Sequence, residues 1–126
     1  MLGDEKQEVF CEPSDHLPAS NPHVSDEALD RASRLFRALG DMGRLRLLSH
    51  LIDGERCVGD LAEAEGESLS TISQRLRILR AENIIVRRRQ GKHINYALAD
   101  RHIIHLVTNA LEHAIEPAPR ETTDPT

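Results

Sequence analysis

The stretch CVGDLAEAEGESLSTISQRLRILRAENIIVRRRQGKHINYAL, running from Cys57 to Leu98, decides the fold. It opens with a short helical pattern over about Val58 to Ala64, turns at Gly66, and resumes as a longer helix opening near Ser68. In the longer helix Leu69, Ile72, Leu76 and Leu79 recur at helical spacing and predict a core-facing stripe, leaving Ser70, Thr71, Ser73, Gln74, Arg75 and Arg77 pointing largely away from it. Two short helices joined by a glycine turn make a helix-turn-helix. The remainder, Ile84 to Leu98, reads as two strands bent at Gly91 and Lys92, with Ile94, Tyr96 and Leu98 inward and His93, Asn95 and Ala97 outward. A helix-turn-helix followed by a hairpin is a winged helix, so the expected fold class is mainly α with a small β-hairpin.

The side chains left over by this core point to a polyanion. Hydroxyls, an amide and guanidinium groups on one helix face are the types that read base edges and phosphates in a major groove. At the hairpin tip Arg87, Arg88, Arg89 and Lys92 repel one another in isolation but grip nucleic acid through counterion release. The overall net charge of -5 hides this distribution. Residues 1–30 carry a net -7, residues 31–99 a net +5 and residues 100–126 a net -3, and within residues 70–99 Glu82 is the one acid among seven basic residues. An amphipathic helix with a merely solvated outer face is the plain alternative. The basic hairpin beside it favours double-stranded DNA as the partner.

Outward from the winged helix, residues 1–24 are acidic and interrupted by Pro13, Pro18 and Pro22, which predicts a mobile arm, and residues 117–126 read as a disordered tail. The span 25–116 is then one DNA-binding and dimerisation domain. Ser25 caps a first helix whose apolar positions are Leu29, Ala32, Leu35, Phe36 and Leu39; Asp41 caps a second, with Leu45, Leu48, Leu51 and Ile52 inward and Gly54 ending it. No apolar run approaches the ~20 residues of a membrane span. Nor does a basic start followed by an apolar stretch mark the N-terminus for export, so a cytoplasmic location is expected. In a reducing cytosol Cys11 and Cys57 are not expected to form a structural disulfide, and their thiolates are left for metal binding or for a thiol redox switch.

The last helix, about Asp100 to Glu116, carries metal-type ligands in two clusters. His102 and His113 stand three turns apart on one face, roughly 16 Å along the axis, too far for one ion whose bonds are about 2.0–2.2 Å. A second, antiparallel copy of the helix brings Asp100 and His102 of one chain to His113 and Glu116 of the other, forming two symmetric sites in a homodimer. An ordinary polar stripe needs no metal, but this one borders Ile103, Leu106, Val107, Ala110, Leu111 and Ala114, an apolar face suited to a partner helix. His105 lies on the same stripe as a reserve ligand. Two imidazoles and two carboxylates suit zinc or cobalt, whereas lead, cadmium or arsenite favour thiolates; zinc is the expected ion, with cobalt, cadmium or nickel as the other divalent candidates. Four protein ligands leave no open position for water, which argues against an enzyme. A metal-buffering module whose basic hairpin meets an acidic partner is the remaining alternative.

The segments Leu39-Gly-Asp-Met-Gly-Arg-Leu-Arg-Leu-Leu48, Glu55-Arg-Cys-Val-Gly-Asp-Leu61, Ser68-Leu-Ser-Thr-Ile-Ser-Gln-Arg-Leu76, Arg89-Gln-Gly-Lys-His93 and Asp100-Arg-His102 with His113 and Glu116 occur in order. In them the chain resembles the ArsR/SmtB family of metal-sensing bacterial repressors, most closely the zinc-sensing branch. The resemblance implies a homodimer that holds operator DNA without metal and releases it on binding metal, with no organic cofactor and no membrane. It implies the last-helix ligands Asp100, His102, His113 and Glu116. It also implies a second site type in which Cys57 and Asp60 join Cys11 and His16 from the partner's arm, where the Cys-to-His spacing is one residue longer than the family's. Gly59 stands where soft-metal sensors carry the second cysteine of a Cys-x-Cys, which argues against arsenite or lead. Other departures are Met42 and Gly43 in place of a Pro-Asn or Pro-like helix start, Gln74 where many members have histidine, and Glu65 and Glu67 beside the turn.

Overall fold

The computed structural model describes residues 23–121. Most of the acidic arm, with Cys11 and His16, and the end of the tail from residue 122 lie outside the described residues. Ser25 accepts a hydrogen bond from the Ala28 amide at 3.1 Å and opens α1 (Asp26–Leu39). Asp41 accepts from the Arg44 amide at 3.0 Å and opens α2 (Met42–Leu51). Each cap satisfies an amide that the first helical turn leaves without a partner. β1 (Arg56–Cys57) leads into α3 (Val58–Glu65), which Gly66 ends in the left-handed region at φ 64°. A glycine takes that conformation without a Cβ penalty, and the chain turns into α4 (Leu69–Ala81) behind the Ser68 cap. The wing follows as β2 (Ile85–Gln90) and β3 (His93–Leu98), and α5 (Arg101–Ile115) closes the fold.

The three strands form an antiparallel sheet in the order β1-β3-β2. Arg87 lies opposite Tyr96 and Gln90 opposite His93, so the hairpin turns at Gly91 and Lys92 as the sequence predicts. The core is drawn from every helix: Leu47, Leu48, Leu61, Ile72, Leu76, Leu79, Ile84 and Val107 are fully buried, with Ala38 and Leu39 of α1 at its edge. Burial of each large side chain contributes about 1.5–3 kcal/mol before chain entropy is counted. The architecture is a winged helix-turn-helix, mostly helical with a small sheet.

The structure departs from the sequence reading at particular residues. Leu69 is 57% exposed and outside the core, because it is the first residue of α4 and the buried stripe begins one turn later at Ile72. Ala97 is buried instead of outward: β3 is the middle strand, with neighbours on both edges, and a small side chain there is readily covered. β1 is an addition, since two residues carry no legible period. α2 ends at Leu51 ahead of Gly54, and Leu47 is one of its fully buried residues while Leu45 is half-buried. On α1, Leu29, Ala32 and Phe36 are exposed.

Candidate metal half-sites and nucleic-acid face

α5 places the predicted ligands in two separated pairs. Asp100 is its N-cap, accepting from the Ile103 amide at 3.0 Å, and the same Oδ1 lies 3.8 Å from His102 Nδ1. At the other end His113 Nδ1 lies 3.9 Å from Glu116 Oε1, Glu116 being the C-cap. Both imidazoles stand in solvent, 89% and 82% exposed. Ligand atoms on a tetrahedral zinc are separated by about 3.4 Å, the edge set by bonds of about 2.0–2.1 Å. Each pair therefore fits two corners of such a shell after a small rotamer change, and neither supplies the other two. Among the described residues no three histidine, cysteine or carboxylate groups converge. Among the described residues of one chain the donors are of the kind zinc takes and short in number.

The apolar face of α5 is divided between two tasks. Ile103 and Val107 are buried in the chain's own core, which corrects the expectation that the whole face awaits a partner. Leu106 and Ala110, with Val107, line a groove completed by Phe36, Leu39, Gly40 and Leu45. Phe36 is 58% exposed, and Leu29 and Ile115 are exposed with it. His105 is exposed on α5 and joins neither ligand pair.

Cys57 and Asp60 sit together at the start of α3, where the half-buried Cys57 Sγ accepts from the Asp60 amide at 3.5 Å. Their predicted counterparts Cys11 and His16 lie outside the described residues.

Seven of the ten predicted DNA-contact residues line two depressions, while Arg88, Arg89 and Lys92 of the wing line neither. Ser70, Thr71, Gln74 and Arg75 of α4 line one together with Asp41 and Arg44 of α2. Ser73, Arg77 and Arg80 line the other with Arg87 and Tyr96 of the wing. Ser70, Ser73, Gln74, Arg77, Arg87, Arg89 and Lys92 are exposed. Thr71 is half-buried, because its amide and hydroxyl both bond the Ser68 cap. Arg88 pairs with Glu55 at 2.6 Å, so alternation along β2 sends it to the opposite side from Arg87 and Arg89.

Arg44 and Arg80 are additions to the face read from the sequence. The spacing of Ser73, Arg77 and Arg80 by four and then three residues could have revealed Arg80. Arg44 sits there because its guanidinium caps α1, donating to the Ala38 carbonyl at 2.6 Å, which no local pattern announces. The acids near the turn are occupied internally: Glu65 meets His50 Nε2 at 2.6 Å and Glu67 meets Arg75 at 3.5 Å.

Residues 41–86 match the model of the bacterial regulatory protein, arsR family. The chain is 42% identical over 92 residues to the "Transcriptional repressor SmtB homolog" of Synechocystis sp., a match covering 71% of this chain and 70% of that protein. It is 38% identical over 102 residues to the "HTH-type transcriptional repressor SmtB" of Mycobacterium tuberculosis, covering 81% and 73%. Among solved structures, the homodimeric winged helix-turn-helix DNA-binding domain of a possible ArsR-family transcriptional regulator from Mycobacterium bovis superposes with a TM-score of 0.68 at 32% identity, covering 72% of this chain and 87% of that one. All three carry transcriptional or DNA-binding names, in agreement with the sequence reading against an enzyme. No helix among the described residues is long and apolar enough to cross a membrane.

Proposed function

Because the chain belongs to the arsR family of bacterial regulatory proteins, and is of its SmtB type, we propose that it is a homodimeric repressor that holds operator DNA without metal and lets go when a divalent ion, zinc before cobalt, nickel or cadmium, bridges its subunits. The observation that carries this reading is the division of four donors into two exposed pairs at opposite ends of one helix, beside an apolar groove with no covering element among the described residues. An antiparallel partner α5 laid in that groove completes both shells. When bound, zinc supplies a tetrahedral link between subunits.

Within the protein, Asp100 and His102 hold one end of α5, and His113 and Glu116 hold the other. Fixing both ends across the two-fold axis sets the angle between the subunits, and with it the spacing of the two α4 helices that enter successive major grooves. A dimer held at the wrong spacing loses DNA affinity, and by linkage DNA lowers zinc affinity by the same factor; a typical coupling of about 1–3 kcal/mol amounts to roughly 5- to 150-fold. On the DNA side Ser70, Ser73 and Gln74 address base edges, while Arg75, Arg77, Arg80, Arg87, Arg89 and Lys92 address phosphates. Cys57 and Asp60, with Cys11 and His16 of a partner's arm, form a second metal site in this reading.

Complementation tests it. His102→Ala and His113→Ala homodimers each have every site damaged, whereas a mixed dimer has one site missing both imidazoles and one intact. Zinc titration into a DNA complex should give no release with either homodimer and about half the zinc stoichiometry, with release restored, for the purified mixed dimer. Normal zinc-driven release by the His113→Ala homodimer removes α5 from the mechanism.

A further inference from the structure

Gly43 is the second residue of α2, and its backbone gives no reason for a glycine: the described glycines with positive φ are Gly54, Gly66 and Gly91. A glycine inside a helix weakens it relative to alanine, so its presence asks for another cause. The cause is Arg75. A Cβ built on Gly43 would stand 2.7 Å from Arg75 Cζ and 2.8 Å from its Nε, far inside the separation of about 3.5–4.0 Å at which such atoms rest. Arg75 leaves α4 sideways and lays its guanidinium over the start of α2, where Glu67 steadies it at 3.5 Å and only 25% of the side chain remains exposed. The neighbouring Asp41 carboxylate is already engaged with the Arg44 amide. The crowded atoms belong to the far end of a flexible side chain, so a larger residue at position 43 would displace Arg75 and leave the backbone intact.

We propose that Gly43 is a positioning residue for DNA binding: it keeps open the seat from which Arg75 meets a backbone phosphate at the edge of the groove that α4 enters. This rests on the reading of α4 as the recognition helix. A phosphate, and not a base, is the partner because the guanidinium is folded off the exposed front of α4, where Ser70 and Gln74 stand, toward the flank made by α2. Seated flat, it still has N–H donors in reserve beyond the long contact to Glu67.

The test uses the full chain and a labelled duplex enriched by the wild-type protein from a random pool. Gly43→Ala should bind that duplex about tenfold more weakly, with a Tm equal to or above the wild type's. Arg75→Ala should lose affinity to a similar or greater extent, uniformly across duplex sequences, with the salt slope lowered by about one. The double variant should bind no more weakly than Arg75→Ala. Wild-type affinity in Gly43→Ala overturns the proposal, as does a Tm that falls with affinity, or an additive loss in the double variant. A loss confined to one base position overturns the phosphate assignment. If the wild type enriches no duplex at all, the failure is that of the DNA-binding reading itself.

Discussion

Leu76 and Phe36 are both large apolar residues on amphipathic helices, yet the first is 1% exposed and the second 58%. The stripe of α4 that holds Leu76 is closed over by α2, α3 and β2 within the same chain. The face of α1 that holds Phe36 looks out over a groove shared with α5. One half of the molecule is finished by its own residues, and among the described residues the other is left open in apolar contacts and carries the two proposed donor pairs. Both deficits lie on α1 and α5, so a single partner would fill both.

The largest expected effect breaks the finished half. Leu76→Ala should lose about 2–5 kcal/mol, enough to unfold much of a domain this small. Urea denaturation followed by far-UV circular dichroism reads the loss directly. Phe36→Asp should leave the fold of each chain in place, because an exposed side chain contributes little to intrachain stability. It should shift sedimentation from dimer to monomer, and zinc affinity should fall with it. A Phe36→Asp protein that remains dimeric and binds zinc normally would erase the distinction between the two halves.

This division also explains how much could be read from residues alone. Ser25 and Asp41 as caps, the stripe of Ile72, Leu76 and Leu79, the turn at Gly66 and the bend at Gly91 are local: each depends on a helical or strand period, or on a side chain bonding an amide three positions on. Leu69 and Ala97 show where a period stops being informative, since burial depends on which neighbour lies across, and that is set by tertiary packing. Pairs such as Arg88 with Glu55, His50 with Glu65, and Arg75 over Gly43 join segments with no shared pattern, and only the folded chain reveals them. The proposed α5 donors are legible in the sequence by type and spacing only as candidates. Their separation into pairs near the tetrahedral edge needed coordinates, as did the second task of Asp100 in capping the helix.

That double task gives an intermediate effect which sharpens the comparison. Asp100→Ala removes a cap and a proposed ligand, so without metal it should lose about 1 kcal/mol of stability, and zinc affinity should fall as well. Asp100→Asn keeps a side chain that caps nearly as well, and metal-free stability should stay within a few tenths of a kcal/mol of the wild type while zinc binding weakens. Thermal unfolding with and without chelator separates the two contributions. Equal loss of metal-free stability in both variants would mean that the carboxylate charge, and not the cap geometry, holds the start of α5.

The smallest effect lies on the wing, where neighbouring arginines face opposite sides of one strand. Arg88 spends its guanidinium on Glu55 at an exposed surface, and such pairs are worth about 0–1 kcal/mol, less as salt rises. Arg87 opens instead toward Arg77 and Arg80 with no acid among the residues lining that depression, an arrangement that repels itself until a phosphate enters. Arg87→Ala should therefore leave stability unchanged or slightly raised and reduce the salt slope of DNA binding by about one. Arg88→Ala should lower stability by at most about 0.5 kcal/mol and leave the slope nearly unaltered. Fluorescence anisotropy across a salt series distinguishes them, and equal slopes for the two variants would show that the wing meets DNA edge-on, with both of its faces in reach of phosphate.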